Sequence, residues 1–188
     1  MLKKLFVTAA AAAAMSVPLA GVAWADVSVS IGGNTVLDDG GPSTAQSLGL
    51  NLAIASNNSQ AQAAAIGFGN LAIATNNSQA WAGGLGVGNT AIADNNSNAT
   101  AGPGFGNTAI ARDGNTAVSG NGSYNFVSAT NNSSARGMSG NFNTVTTSDI
   151  GSTADITGNA NSVSVRCGGS VAFSADGQRV VTSGPCAG

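Results

Sequence analysis

The chain has 188 residues and few charges: six Lys and Arg, eight Asp, no Glu and no His. Both Lys precede residue 26, so from Asp26 onward four Arg stand against eight Asp, a net charge of 4 − 8 = −4. Without clustered Lys or Arg, nucleic acid is excluded as a natural partner. Without His, Glu or Lys in that stretch, acid–base chemistry would rest on Asp alone.

The first 25 residues read as a secretory signal. Lys3 and Lys4 form a basic start, Leu5 to Met15 is apolar, and Ala23-Trp24-Ala25 is a small-residue cleavage site before Asp26. A membrane anchor is the alternative, but the apolar run lies at the short end of the ~20 residues a span needs. No later stretch is long and apolar enough to span, so no integral membrane segment is expected once the signal is removed. The expected location is secreted or cell-envelope associated. Asp26 to Ile31 alternates, with Val27, Val29 and Ile31 on one face. That pattern predicts a strand that starts the sheet and covers the first coil.

From Asn51 to Gln178 one phrase recurs seven times, beginning at Asn51, Asn70, Asn89, Asn107, Asn125, Asn143 and Asn161. The spacing is 18 or 19 residues, and an incomplete copy begins at Asn34. A fixed period near 20 marks a solenoid, in which each repeat buries its face against its neighbours. Each repeat carries two short strands. Taking the first Asn as position 1, positions 3, 5 and 11 are small and apolar: Ala53, Ala55 and Ala61 in the first copy, Val163, Val165 and Val171 in the last. Thr147 and Thr153 hold positions 5 and 11 of the copy from Asn143. Alternate side chains of a strand share a face, so these positions point inward and the core is thin. Leu52, Ile54, Leu71, Ile73, Ile92 and Ile110 then form an outer apolar stripe, a candidate interaction surface. The opposite phase, with Leu and Ile inward, is the alternative for the first coils.

Asn-Asn-Ser corners separate the strands, as at Asn57-Asn58-Ser59. Asn tolerates the left-handed backbone region and suits a tight corner. The other corner is Gly-rich, as in Gly67-Phe68-Gly69. The Asn at position 1, stacked coil on coil, predicts an amide ladder. Ala favours helix, but Gly, Asn and Ser interrupt it every few residues, so no helix is expected past the signal.

From Cys167 the pattern changes. SVAFSADGQRVVTSG resembles one piece of a WD-repeat blade, but it occurs once and a propeller needs several. Asp176-Gly177 is a favoured hairpin turn. Cys167 and Cys186 are equidistant from it, which predicts a disulfide across the open end of a hairpin. The expected fold is therefore all-β: a parallel β-solenoid with two strands per coil over residues 26–166. A disulfide-clasped hairpin cap over 167–188 completes it. A further coil begun by Arg179 to Ser183 is the alternative to the hairpin.

Two cysteines with no His do not make a zinc site. Asp38-Asp39-Gly40 and Asp113-Gly114-Asn115 lack the ligand spacing of calcium loops and read as turns. No Gly-rich corner is followed by Lys and a helix, so no phosphate cradle is expected. No catalytic residue, metal or cofactor is assigned, and the chain is not expected to be an enzyme.

The phrase GxGNxAxA resembles the head repeats of trimeric autotransporter adhesins, which stack as a β-roll and bind host or matrix surfaces. It also resembles curlin repeats, strand–turn–strand units that assemble into extracellular fibres. The stalk and membrane barrel of an adhesin are absent. The function expected is that of a secreted, non-enzymatic interaction or structural protein. Its partner would be a surface, another protein or a second copy of itself. A fibre subunit and an ice-binding protein are the alternatives, the latter because Thr and Ile arrays on a flat solenoid can order water.

Overall fold

The computed structural model describes residues 27–38, 40–63 and 66–185. Residues 1–26 and Cys186 lie outside them, so the signal segment and the Cys167–Cys186 pair are both beyond what is described. The described chain forms twenty strands and no helix. They begin with β1 (Val27–Ile31), β2 (Asn34–Asp38), β3 (Thr44–Ser47), β4 (Leu50–Ser56), β5 (Gln60–Ala63), β6 (Ile66–Thr75), β7 (Gln79–Ala82), β8 (Leu85–Val87), β9 (Thr90–Asp94) and β10 (Asn98–Ala101). They continue with β11 (Gly104–Phe105), β12 (Thr108–Arg112), β13 (Thr116–Asn121), β14 (Phe126–Thr130), β15 (Ser134–Ser139), β16 (Thr144–Thr147), β17 (Thr153–Thr157), β18 (Ser162–Arg166), β19 (Ser170–Ser174) and β20 (Arg179–Ser183).

The chain winds between two sheets through about eight turns. The first sheet runs β2-β1-β4-β6-β9-β12-β14-β16-β18-β20, and the second runs β3-β5-β7-β10-β13-β15-β17-β19. Apart from those of β1 and β2, all pairs are parallel, and they hold register except for shifts at Leu50/Leu52 and Gly137/Ser139, so Ala72 lies beside Ala91 and Ile73 beside Ile92. This is the parallel β-solenoid that the repeat predicts.

The inward face is Ala-rich. Ala53, Ala55, Ala72, Ala74, Ala91, Ala93, Ala109 and Ala111 are fully buried. Leu52, Ile54, Leu71, Ile73, Ile92 and Ile110 point outward and are half-buried by their stacked neighbours, which removes the alternative phase. Position 11 of the copy from Asn143 needs a correction. Ala154, not Thr153, faces inward: Ala135 pairs with Ala154, while Thr153 is exposed. The corner between Thr147 and Ala154 holds one residue more than the preceding corner. Side-chain period 2 then moves the inward place by one. A register irregularity between Gly137 and Ser139 absorbs the difference.

Two ends, two solutions. At the start, β1 runs antiparallel to both β2 and β4, covering the edge of β4 and leaving β2 as the outermost strand of the first sheet. Its buried Ser28 and Ser30 reach across the core end. Their hydroxyls accept from Ala45 N–H at 3.2 Å and Ser47 N–H at 3.1 Å, the otherwise unpaired edge of β3. At the far end the expected hairpin cap is not formed. β19 pairs with β17 in one sheet and β20 with β18 in the other, both parallel, so Arg179 to Ser183 is a further coil. The physical reason is the edge itself. A hairpin would leave the backbone groups of β17 and β18 unpaired, whereas one more coil satisfies both rows. The corner chemistry agrees. Asp176 takes the place of a corner Asn and accepts from Asn159 N–H at 2.6 Å, and Gly177 N–H donates to Asn159 O at 2.8 Å. Of the two turn residues only Gly177 has positive φ, whereas the favoured two-residue hairpin turn needs it at both. The solenoid therefore continues past Arg166 to Ser183.

Candidate interaction surface

Rigidity comes first, because a surface holds its shape only if the coils do. Each position-1 Asn is buried and makes two contacts with the next coil. Asn107 Oδ1 accepts from Asn125 N–H at 3.1 Å, and its Nδ2 donates to Gly122 O at 2.7 Å. The same pair of bonds recurs from Asn51 to Asn161, and Gln178 N–H ends the row on Asn161 Oδ1 at 2.8 Å. The predicted ladder thus ties side chain to backbone as well as side chain to side chain. Its acceptor glycines are obligatory. Gly122 has φ +136, and a Cβ there would sit 1.8 Å from Gly140 O.

A second ladder escapes a reading that sees only corners. The Ser of each Asn-Asn-Ser corner is buried, and the Oγ of Ser59, Ser78 and Ser97 accepts the next coil's N–H, as in Ser97 N–H to Ser78 Oγ at 3.1 Å, whereas Ser133 Oγ donates to Thr130 O at 2.8 Å. Asn115 substitutes in the series, accepting from Ser133 N–H. The recurrence of Ser at the third corner position was the available signal. The corner Asn residues take positive φ, with Asn57 at 53° and Asn58 at 58°, and their amides chain outward, Asn57 Nδ2 to Asn76 Oδ1 at 2.8 Å. No buried side-chain N or O among the described residues lacks a partner.

On this frame the two outward faces differ. The first sheet shows Leu52, Ile54, Leu71, Ile73, Ile92 and Ile110, and β1 extends the row because Val29 pairs with Ile54 and Ile31 with Leu52. Beside it, the Gly-rich corner raises a ridge of larger groups: Leu50, Phe68, Leu85, Phe105, Tyr124 and Phe142, each more than half exposed. Tyr124 and Phe142 stack with centroids 5.4 Å apart at an interplanar angle of 11°. Both adopt positive φ, at a corner position that earlier coils fill with Gly88 and Gly106. The ridge was missing from the sequence-based stripe, although one large residue between glycines in GFG and GLG is its signature. The second sheet turns out Gln46, Gln60, Gln62, Gln79, Asn98, Thr116 and Ser134 instead.

Comparison with known protein families, with curated proteins and with solved structures returns no match for this chain. The likeness to adhesin heads and curlin therefore rests on the repeat phrase alone. No helix among the described residues is long and apolar enough to cross a membrane.

Proposed function

We propose that this chain is a secreted or envelope-associated, non-enzymatic interaction protein. Its working surface is the outward face of the first sheet together with the Gly-corner ridge. The observation that carries this reading is the run of apolar side chains from Val29 to Ile110, flanked by exposed Phe68 and Phe105, on a scaffold whose buried side-chain polar groups, among the described residues, are already paired. Contiguous apolar surface of this kind marks contact sites. The leader of Lys3, Lys4 and the Ala-rich run supports export. The test compares adsorption of wild type and of a variant with Ile54, Ile73, Ile92 and Ile110 all changed to Thr. The probes are alkyl-coated and hydrophilic beads. Wild type adsorbs to the alkyl surface and the variant does not; equal adsorption by both sinks the reading.

A fibre-forming subunit is the second reading, favoured by one observation. Among the described residues, β19 and β20 have a paired strand on one side only. Thioflavin fluorescence and electron microscopy of concentrated protein decide it. We further propose that Cys167 and Cys186 form a disulfide that staples the last coil to the corner before it. That no free cysteine occurs among the described residues supports the pairing. Such a bond closes a loop of about 20 residues, worth ~3 kcal/mol in the chain-entropy account. Cys186→Ser then speeds amide hydrogen exchange in β20 and leaves β9 unchanged; equal exchange in β20 rejects the staple.

A further inference from the structure

The polar face carries a feature that the apolar-contact reading does not use. Trp81 stands on β7 in the second sheet, pointing outward and 37% exposed. In register, Gln62 lies on one side of it and Thr100 on the other. The neighbouring row is Gln60, Gln79 and Asn98. Gln46 and Thr44 extend both rows by one strand. Together these residues line an open concavity of about 400 Å³.

Among the described residues every buried side-chain amide is engaged. The position-1 ladder and the corner ladder each spend their amides on the next coil. On this face they are free. Among the described residues, the side chains of Gln46, Gln60, Gln62, Gln79 and Asn98 have no hydrogen-bond partner. No charged side chain enters the grid. The nearest in the Trp81 row is Arg136, beyond Thr100 and Val118. Strands ~4.8 Å apart and outward residues ~6.7 Å apart along each strand make a flat array of donors and acceptors around one indole.

We propose that this grid is a binding site for a neutral glycan. A pyranose ring presents a face of C–H bonds, which packs on an indole, and an edge of hydroxyls, which are both donors and acceptors. Each primary amide matches such hydroxyls with two donors and an acceptor. An apolar anchor among a few placed polar groups is the usual composition of a small-molecule site. The absence of charge in the grid selects against anionic polymers. A shallow, open, periodic surface suits an extended chain laid across strands β5, β7 and β10 rather than an enclosed monomer. The site lies on the face opposite the apolar stripe, so it stands or falls independently of the contact surface proposed above.

The experiment uses the full chain in titration calorimetry. The probes are soluble β-glucan, α-glucan and mannan oligomers, with hyaluronate and heparin as anionic controls and an unfolded polypeptide as a third control. Saturable binding to at least one neutral oligomer is expected, unchanged between low and high salt. Trp81→Ala weakens it about tenfold or more, ~1.4 kcal/mol. Gln62→Ala and Gln79→Ala weaken it a few-fold, and Trp81→Phe retains part. All three positions face outward, so the circular dichroism of all four variants matches wild type. The quadruple Ile-to-Thr variant binds the oligomer as wild type does, even where it has lost adsorption to alkyl beads. Failure of every neutral probe, undiminished binding by Trp81→Ala, or binding confined to the anionic polymers or the polypeptide overturns the proposal.

Discussion

The coils from Asn51 to Asn107 and those from Asn125 to Asn161 solve the same packing problem in opposite ways. The earlier coils place Ala at both inward positions of the first strand and Ile outside, as in Ala109-Ile110-Ala111. The later coils place Val inside and Ser or Thr outside, as in Val127-Ser128-Ala129 and Val163-Ser164-Val165. The extra inward volume is received across the core. Gly137 has no side chain, and a Cβ there would lie 3.2 Å from Val127 Cγ2. A fixed position in the repeat therefore does not fix residue size; complementarity between the two sheets does. The comparison also bears on function. The later coils keep the same strand with Ser or Thr outside, so folding does not require Ile there. The Ile row of the earlier coils then calls for another explanation, and the proposed external contact is the one put to the test below.

The most damaging change strikes what both halves share. In Gly122→Ala the new Cβ would meet Gly140 O at 1.8 Å, and φ +136 is hostile to any L side chain. We expect a loss beyond ~4 kcal/mol, the range of exceptional single-site effects, or no folded protein. Thermal unfolding checks it. A near-wild-type midpoint would mean that the coils separate readily, and the idea of one rigid stack would fall.

Ala109→Phe tests the thin core of the earlier half. Ala109 is fully buried, and its neighbours in the sheet are Ala91 and Val127. Overpacking costs ~1–3 kcal/mol in ordinary cores, and here adjacent coils must shift as well, so the expected loss lies above that range. An unfolding midpoint within error of wild type would contradict the inward placement. In the later half the sharper probe is a pair. Val127→Ala should cost ~2 kcal/mol through the lost methyl groups and the cavity they leave. Gly137→Ala alone should destabilise slightly, because of the 3.2 Å contact with Val127. Added to Val127→Ala it should restore part of the loss, a coupling that a double-mutant cycle measures. Strict additivity would show that the two sheets do not share that space.

Much of this was legible in the residues. The recurrence of Asn51, Asn70 and Asn89 marks the coil, and the alternation of Ala and Ile marks the two faces, because side-chain period 2 leaves only two phases to decide between. The Asn ladder was visible for the same reason. The end of the chain was read less well. Asp176-Gly177 is a good local hairpin signal, yet local turn preference is worth little against two rows of backbone groups on β17 and β18 awaiting partners. Tertiary pairing overrode it. Thr153 was misplaced because a single added residue in the corner after Thr147 is invisible to a repeat that keeps its overall spacing. The Trp81 grid was not seen because its members come from four strands. Only the in-register stacking brings Gln46, Gln62, Trp81 and Thr100 into one row.

The smallest expected effect on stability per residue carries the most functional weight. Changing Ile54, Ile73, Ile92 and Ile110 to Thr turns the outside of the earlier half into that of the later half, where Thr146 already occupies the same row. Thr is β-branched and suits a strand as Ile does. The four side chains are half-buried and face outward, so each substitution should cost no more than ~0.5 kcal/mol, as at ordinary surface positions. The circular dichroism spectrum should be preserved. If the variant instead unfolds between residues 50 and 112, the Ile row holds the earlier coils together through cross-strand packing. The two halves then differ in how they are stabilised rather than in what they bind. If it folds but still coats alkyl beads as wild type does, the Ile row is not a contact surface and the proposed function falls, because Ser and Thr then serve the outside of every coil equally well.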